Sequence, residues 1–270
     1  MSDSMHDWIH GLPVVWMAVV IFGATFLVAA AIYAVVMSLA VGERARAFKG
    51  VSPGLLPPLG IIFGLLVAFL AAEAWGGHDR AHTAVNREAS ALRAVVLLSE
   101  ALPGDAGSRV RAFIRQHIQD ALAEEWPAMA RRRATLTAIP KSLARALQAT
   151  LTVTTDNDAQ VAAQREIVAA LANALDARRQ RILESRFVVN PVKWLSLIVQ
   201  AICTLTAIAM VHSDNRATAR FAMGLFSTAV AVCILLVAAH DRPFTGQNAV
   251  EPSALLQVQP EGPVAREEGS

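Results

Sequence analysis

The protein is 270 residues long, with 54% hydrophobic residues, 17% charged residues and a formal net charge of +2. Soluble domains carry nearer to 25% charged residues, so this composition excludes a soluble single domain. The small net charge gives no support to nucleic-acid binding, and both cysteines lie in apolar runs, which excludes a disulfide-stapled scaffold. We therefore predict an all-α integral membrane protein.

Four apolar runs are each long enough to cross a bilayer, because about 20 helical residues span a hydrocarbon core about 30 Å thick. We predict transmembrane helix 1 over about residues 14–39 and helix 2 over about residues 58–73. Helices 3 and 4 form a hairpin over residues 194–239, entered through Asn190 and Pro191, which suit a helix start. The runs without Asp, Glu, Lys or Arg are Leu12–Val41, Val51–Ala72, Trp194–Val211 and Phe221–Ala239.

The second span carries two patterns. Small residues at four-residue spacing let helix backbones approach closely, and this helix-packing seam consists of Gly60, Gly64 and Ala68. A stripe of bulky apolar residues ends in a carboxylate and consists of Ile62, Leu66, Phe69 and Glu73. Such a stripe can line a hydrophobic pore constriction, which in a chain of four spans would require a homo-oligomer. The alternative interpretation is a lipid-facing helix with a packing seam.

Residues 73–193 carry an ordinary share of charge and form a predicted helical extramembrane domain, inserted between the second and third spans. Apolar residues recur there at three- and four-residue steps, without the alternation typical of a strand. Its basic runs, around Arg132 and from Arg178 to Arg181, could contact lipid headgroups or form a vestibule that attracts anions, and we interpret them as solvated helix faces. The C-terminal tail, residues 240–270, is rich in Pro, Gly, Gln and Glu, and we expect it to be mostly disordered after about residue 250.

Four spans place both termini and the helical domain on the same side of the membrane. The short Gly42–Gly50 loop is basic and the N-terminal segment is not, so the positive-inside rule would put the domain outside. A second basic cluster just before the third span argues for the opposite orientation. The charges alone leave the orientation open.

A His-Asp-Arg triplet follows the second span, and another follows the fourth span on the same side of the membrane. Arg beside Asp at two helix ends can form a salt-bridged collar or a ring that attracts anions. The candidate pore-mouth charges are therefore Asp79, Arg80, Asp241 and Arg242. The alternative is local ion pairing at the membrane surface.

Two histidine pairs have a four-residue spacing, which places both rings on one helix face where Zn²⁺ could bind. They are His6 with His10, and His78 with His82. No cysteine or glutamate completes either set in sequence. The chain has no phosphate-binding loop, nucleophile elbow or pair of catalytic carboxylates, so we predict neither an enzyme nor a cofactor, although an anion could bind.

Several stretches resemble the bacterial bestrophin-like membrane proteins. They are Leu56–Leu70, Ala84–Leu92, Gln164–Val168 and His240–Gly246, the last of which contains Pro-Phe-Thr-Gly. The resemblance covers about residues 55–260. A more distant similarity to the bestrophin anion channels rests on the four spans, the helical insert and the Pro-Phe-x-Gly stretch.

This resemblance implies a homo-oligomeric, pentameric channel in the bacterial inner membrane, passing small anions through a pore lined by the second span. It also implies a cytoplasmic helical domain. Two features depart from bestrophins: a single carboxylate, Glu251, follows the Pro-Phe-Thr-Gly stretch where calcium-regulated members have an acidic cluster, and only Phe63 and Phe69 are available for an aromatic neck. The alternative function is a non-conducting membrane scaffold or sensor whose helical domain recruits a partner.

Overall fold

The computed structural model describes residues 12–50, 53–137 and 139–260. These residues form helices without any β-strand, and four of the helices are long and apolar enough to cross a membrane, which confirms the predicted fold class. In chain order the helices are α1 (Val14–Leu39), α2 (Glu43–Gly50), α3 (Leu56–Leu98), α4 (Ala106–Asp120), α5 (Trp126–Ala130), α6 (Lys141–Leu151), α7 (Asp158–Glu184), α8 (Pro191–Val211), α9 (Arg216–His240) and α10 (Ser253–Leu256).

The chain divides into two compact units. The first unit contains the described residues up to His78 together with Val188–Asn248, and the second contains Asp79–Phe187 together with the described residues from Ala249 onward. Helix α3 contributes to both units, because it continues well beyond the predicted end of the second span at residue 73. The sequence after that point keeps helical spacing of its apolar residues and has no proline before Pro103.

In the first unit, α1, α8 and α9 pack against one another. Small residues are buried on these helices, among them Ala29, Ala209 and Ala231, and they allow the close backbone approach on which helix packing in lipid depends. Asn190 and Asn215 precede α8 and α9, and each side chain accepts a hydrogen bond from a backbone N–H of the first helical turn. These caps satisfy backbone donors that the helix itself leaves unpaired.

The first part of α3 contacts the other spans of this unit. The rings of Phe63 and Phe226 lie 5.5 Å apart, and Gln200 Nε2 donates a hydrogen bond to the Leu59 carbonyl at 3.0 Å. Leu70 and Ala74 continue this buried side of the helix. The second span therefore packs on the other spans of its own chain along one side.

The core of the second unit is an apolar cluster contributed by α3, α4, α6 and α7. Leu92, Ile114, Leu143 and Leu171 are fully buried in it, one from each helix. Each helix thus presents an apolar stripe to the same centre, as expected for amphipathic helices in a soluble bundle.

Residues 249–260 pack against the second unit. Helix α10 buries Leu255 in the core, Trp126 Nε1 donates to the Val250 carbonyl at 3.2 Å, and Arg115 Nε donates to the Pro260 carbonyl at 2.9 Å. This corrects the expectation of disorder from about residue 250 as far as Pro260, while residues 261–270 lie outside the described residues. The average composition of the tail concealed the few apolar residues that anchor it.

Substitutions of two adjacent leucines test how much this segment stabilises the second unit. Leu255 is 0% exposed and Leu256 is 48% exposed. We expect Leu255→Ala to destabilise the domain by about 2–5 kcal/mol, and the control Leu256→Ala to change stability by about 0.5 kcal/mol or less. Thermal unfolding of the purified protein in detergent, combined with limited proteolysis, measures the difference. Equal effects of the two substitutions would contradict an anchoring role for Leu255.

Candidate functional site

The predicted pore stripe on α3 is only partly exposed in this chain. Ile62 and Phe69 are exposed, whereas Leu66 and Glu73 are half-buried. The Glu73 carboxylate accepts a hydrogen bond from Lys193 Nζ at 2.5 Å, so Glu73 forms an ion pair with the first turn of α8. The stripe drawn from sequence spacing therefore mixes residues of an exposed face with residues next to the packed side.

The predicted helix-packing seam is open in the single chain. Gly60, Gly64 and Ala68 are exposed, and a Cβ atom added to either glycine would meet no neighbouring atom within 4 Å. No helix of the described part of the chain packs closely on this seam. A backbone of another molecule could approach α3 here without steric conflict.

The face of α3 that points away from the packed side was only partly predicted by sequence spacing, which found Phe69 but not Ile61 or Leu65. Residues nine positions apart lie about 180° apart on an α-helix, so Ile61 lies opposite Leu70 and Leu65 lies opposite Ala74. Ile61 is 64% exposed, Leu65 is 53% exposed and Phe69, on the next turn, is 69% exposed. These three residues, which we call the outer face, form the most exposed apolar stripe of the span.

The charges after the second span belong to the second unit. Asp79 is exposed. Arg80 Nε lies 3.2 Å from Glu184 Oε1, and the Arg80 guanidinium lies over the Phe187 ring at 5.2 Å from its centroid. Arg80 is thus engaged locally, in agreement with the alternative interpretation of local ion pairing.

The charges after the fourth span are buried, which does not fit a role at an open pore mouth. Asp241 is fully buried and Arg242 nearly so. Asp241 Oδ1 accepts a hydrogen bond from the backbone N–H of Val189 at 2.8 Å, which ties the end of α9 to the segment that leads into α8. Asp241 thus holds the end of α9 against the segment before α8, and neither Asp241 nor Arg242 has the exposure that the predicted pore-mouth charge requires.

The two rings of the predicted His78–His82 pair have different neighbours in the structure. The His78 ring lies edge-on to the His240 ring, with 6.2 Å between centroids, whereas His82 Nδ1 lies 3.1 Å from Asn86 Nδ2. Within residues 12–50, 53–137 and 139–260, no three His, Cys, Asp or Glu side chains are grouped to hold a metal ion. His6 and His10 lie outside the described residues.

The second unit contains a buried ionic network. Arg181 donates from Nε to Glu88 Oε2 at 2.7 Å and from Nη2 to Glu125 Oε2 at 2.8 Å. Arg178 Nε donates to the other Glu125 oxygen at 2.7 Å. His117 Nε2 lies 2.9 Å from Glu88 Oε1, and since an ionised carboxylate can only accept, this nitrogen carries the proton. Two carboxylates, two guanidiniums and one imidazole thus join α3, α4 and α7.

The network keeps its charges although it is buried. Burial alone would raise the pKa of Glu88, but the charge of Arg181 and the hydrogen bond from His117 lower it to about 2. Burial likewise favours a lower pKa for Arg181, and the carboxylates of Glu88 and Glu125 outweigh it and raise that pKa above its usual value. Both groups are therefore ionised at neutral pH, and each offsets the cost of burying the charge of the other.

A π-helical turn at Ala121–Glu125, between α4 and α5, contributes Glu125 to this network. Such turns are rare and often reorient side chains at functional positions. The Trp126 ring follows directly and lies under the Arg181 guanidinium at 4.6 Å, which adds a cation–π contact. Glu125 of the π turn therefore gives Arg181 a hydrogen-bond acceptor, and Trp126 of α5 gives it an aromatic face.

The network also corrects the interpretation of the second basic run. Arg178 and Arg181 are buried, and Arg181 is 0% exposed, so these two arginines do not belong to a solvated face, whereas Arg179 between them is exposed. One sequence signal could have found it: Glu88 lies on the apolar stripe of α3 beside Val85 and Leu92, and a carboxylate on a buried stripe needs a cationic partner.

A family model described as the bestrophin-like domain matches residues 13–255. The chain belongs to the bestrophin-like family. The resemblance found in the sequence is thereby confirmed. No curated protein and no solved structure matches the chain.

In this bestrophin-like protein the stretches that carried the resemblance fall at structurally important places. Leu56–Leu70 is the first part of α3, and Ala84–Leu92 contains Glu88. Gln164 Nε2 donates to the carbonyls of Thr150 and Val153, which fastens the end of α6 to α7.

The His240–Gly246 stretch ends α9 in this bestrophin-like protein. Its Asp241 forms the bond to Val189, and Phe244 is buried. Gly246 has a φ of +87°, a backbone conformation that glycine adopts without steric cost. The stretch therefore acts as a folded connector after the fourth span.

Proposed function

We propose that this bestrophin-like protein is a homopentameric channel that passes small anions through a pore lined by the first part of α3. The outer face of α3 carries the proposal, because it is apolar, exposed and opposite the side that packs on the chain's own spans. Membership of the bestrophin-like family supports an ion channel at the family level. Four spans cannot enclose a conduit, so several copies must surround one axis.

In such a ring, Ile61, Leu65 and Phe69 face the axis and form a hydrophobic constriction that gates by dewetting. Compared with the stripe predicted from spacing, the proposed constriction contains Ile61 and Leu65 in place of Ile62 and Leu66. It keeps Phe69. The seam of Gly60, Gly64 and Ala68 lies on a flank of the same helix, where the neighbouring copy packs.

The ion pairing of Glu73 supports anions as the permeant class. A free carboxylate ring at the end of the pore helix would favour cations. The Glu73 carboxylate accepts a hydrogen bond from Lys193 Nζ, so the pair carries no net charge. The proposed constriction is therefore uncharged along its length and does not hold anions back electrostatically.

Imaging and flux together test this proposal. Single-particle images of the detergent-solubilised full chain are expected to show a five-fold ring with a central axis. Reconstituted liposomes are expected to take up chloride faster than protein-free liposomes, and faster than they take up potassium. A dimer without a central axis would overturn the channel, and a ring without ion flux would favour the scaffold or sensor.

The proposal places the protein in the bacterial inner membrane with the second unit and both termini in the cytoplasm, as the family resemblance implies. Cysteine labelling in intact cells tests the orientation. A cysteine introduced at exposed Leu97 is expected to resist a membrane-impermeant maleimide until the membrane is permeabilised. Labelling of intact cells would reverse the orientation.

A further inference from the structure

The second unit contains a cavity of about 660 Å³ that is distinct from the proposed pore. Its walls come from α4, the π turn, the loop before α6, the first turn of α6, and α7. Its floor shares His117, Glu125 and Arg178 with the buried ionic network. This volume is in the range of small-molecule binding sites.

The cavity carries equal numbers of positive and negative side chains. Three carboxylates line it (Asp120, Glu124 and Glu125), and so do three cations (Arg133, Lys141 and Arg178). A cavity of this kind has no overall preference for an anion or for a cation.

Some of these charges are already engaged by neighbours. Glu125 pairs with Arg178, and Asp120 accepts hydrogen bonds from Gln116 at 2.7 Å and from Ser142 at 3.3 Å.

Three charges of the cavity remain available to a ligand. In the described part of the chain, Glu124, Arg133 and Lys141 have no ion-pair partner, and all three are exposed at the cavity rim. They come from three different segments: the π turn, the loop and α6. Two cations and one carboxylate that converge on one cavity complement a molecule with an anionic group and an ammonium group.

We infer that this cavity binds a small zwitterion of the α-amino-acid class. Arg133 and Lys141 contact the ligand carboxylate, and Glu124 contacts its ammonium group. The first turn of α6 has no side-chain cap and lines the same cavity, so its backbone N–H groups add to the positive side. The bound ligand lies against Glu125 and Arg178, and the inference does not depend on whether the protein conducts ions.

Thermal unfolding of the full-length protein in detergent tests the inference, with each of the twenty L-amino acids as a separate probe. Binding to the folded state raises the melting temperature by mass action, so at least one amino acid is expected to raise it by several degrees at millimolar concentration. Acetate and ethylamine, which carry one charged group each, are expected to leave it unchanged. No shift with any amino acid, or an equal shift with acetate, would overturn the inference.

Calorimetric titration of the most stabilising amino acid assigns the two ends of the ligand. Lys141→Ala and Glu124→Gln are each expected to weaken binding roughly tenfold, because each removes one charged hydrogen bond. The matched control is Arg145→Ala, an exposed arginine on α6 that does not line the cavity, and it is expected to bind as wild type does. If Glu124→Gln bound the amino acid more tightly than wild type does, the cavity would be a simple anion site and the inference of a zwitterion site would be wrong.

Discussion

Replacement of Glu88 by glutamine is expected to lower the free energy of unfolding of the second unit by about 3–5 kcal/mol, as is usual when one partner of a buried ion pair is removed. Glu88 is fully buried and is bonded to Arg181 and His117. Without the Glu88 charge, the buried guanidinium of Arg181 keeps only Glu125 as an anionic partner. Thermal unfolding in detergent measures the loss.

An exposed ion pair provides the matched control for this substitution. Glu184→Gln removes the partner of Arg80, whose side chain is 52% exposed to solvent, so we expect a loss of at most about 1 kcal/mol. A double variant, Glu88→Met with Arg181→Met, is expected to be more stable than Glu88→Gln, because no uncompensated charge stays buried. Equal melting temperatures for Glu88→Gln and Glu184→Gln would contradict a stabilising network.

The acid stability of the domain provides a second readout of the network. The pKa of Glu88 is lowered from 4.5 to about 2 in the folded state. A lowered carboxylate pKa stabilises the folded state fully above the unfolded pKa, and this contribution is lost as the pH falls through the folded pKa. We therefore expect the stability advantage of wild type over Glu88→Gln, whose amide does not titrate, to shrink between about pH 4.5 and about pH 2. An advantage that is independent of pH would contradict the ionised network.

Truncation of the outer face of α3 is expected to increase anion flux. Leu65→Ala and Phe69→Ala each remove bulk and apolar surface from the proposed constriction, which lowers the barrier to a hydrated ion. A barrier lowered by about 1.4 kcal/mol corresponds to about a tenfold faster flux. Chloride uptake by reconstituted liposomes, normalised to the amount of folded protein, measures the change.

The neighbouring leucine is the control for this prediction. Leu66 is half-buried and lies nearer the packed side of α3, so Leu66→Ala is expected to change the flux less than about twofold. If Leu66→Ala instead had the larger effect, the stripe of Ile62 and Leu66 would be the pore face. If none of the three variants changed the flux, α3 would not line the pore.

The sequence by itself determined the spans and the family. Hydrocarbon excludes charge and unpaired backbone groups from every segment that crosses it, so a span is visible locally as a charge-free run. The first span was predicted over about residues 14–39 and α1 is Val14–Leu39, while α8 begins at Pro191, three residues before the predicted start of the hairpin at residue 194. The helical character of the insert was also predictable, because its apolar spacing is a local property.

Only the tertiary structure decided which charged residues are buried and which face of α3 is free. Arg181 and Glu88 are 93 positions apart in the chain, and local periodicity cannot predict such a pair. A run of arginines looks solvated until its partners are known, and Asp241 looks exposed until Val189 is found beside it. Small residues and bulky stripes define several faces of a helix, and only packing of the other spans selects the side that remains open.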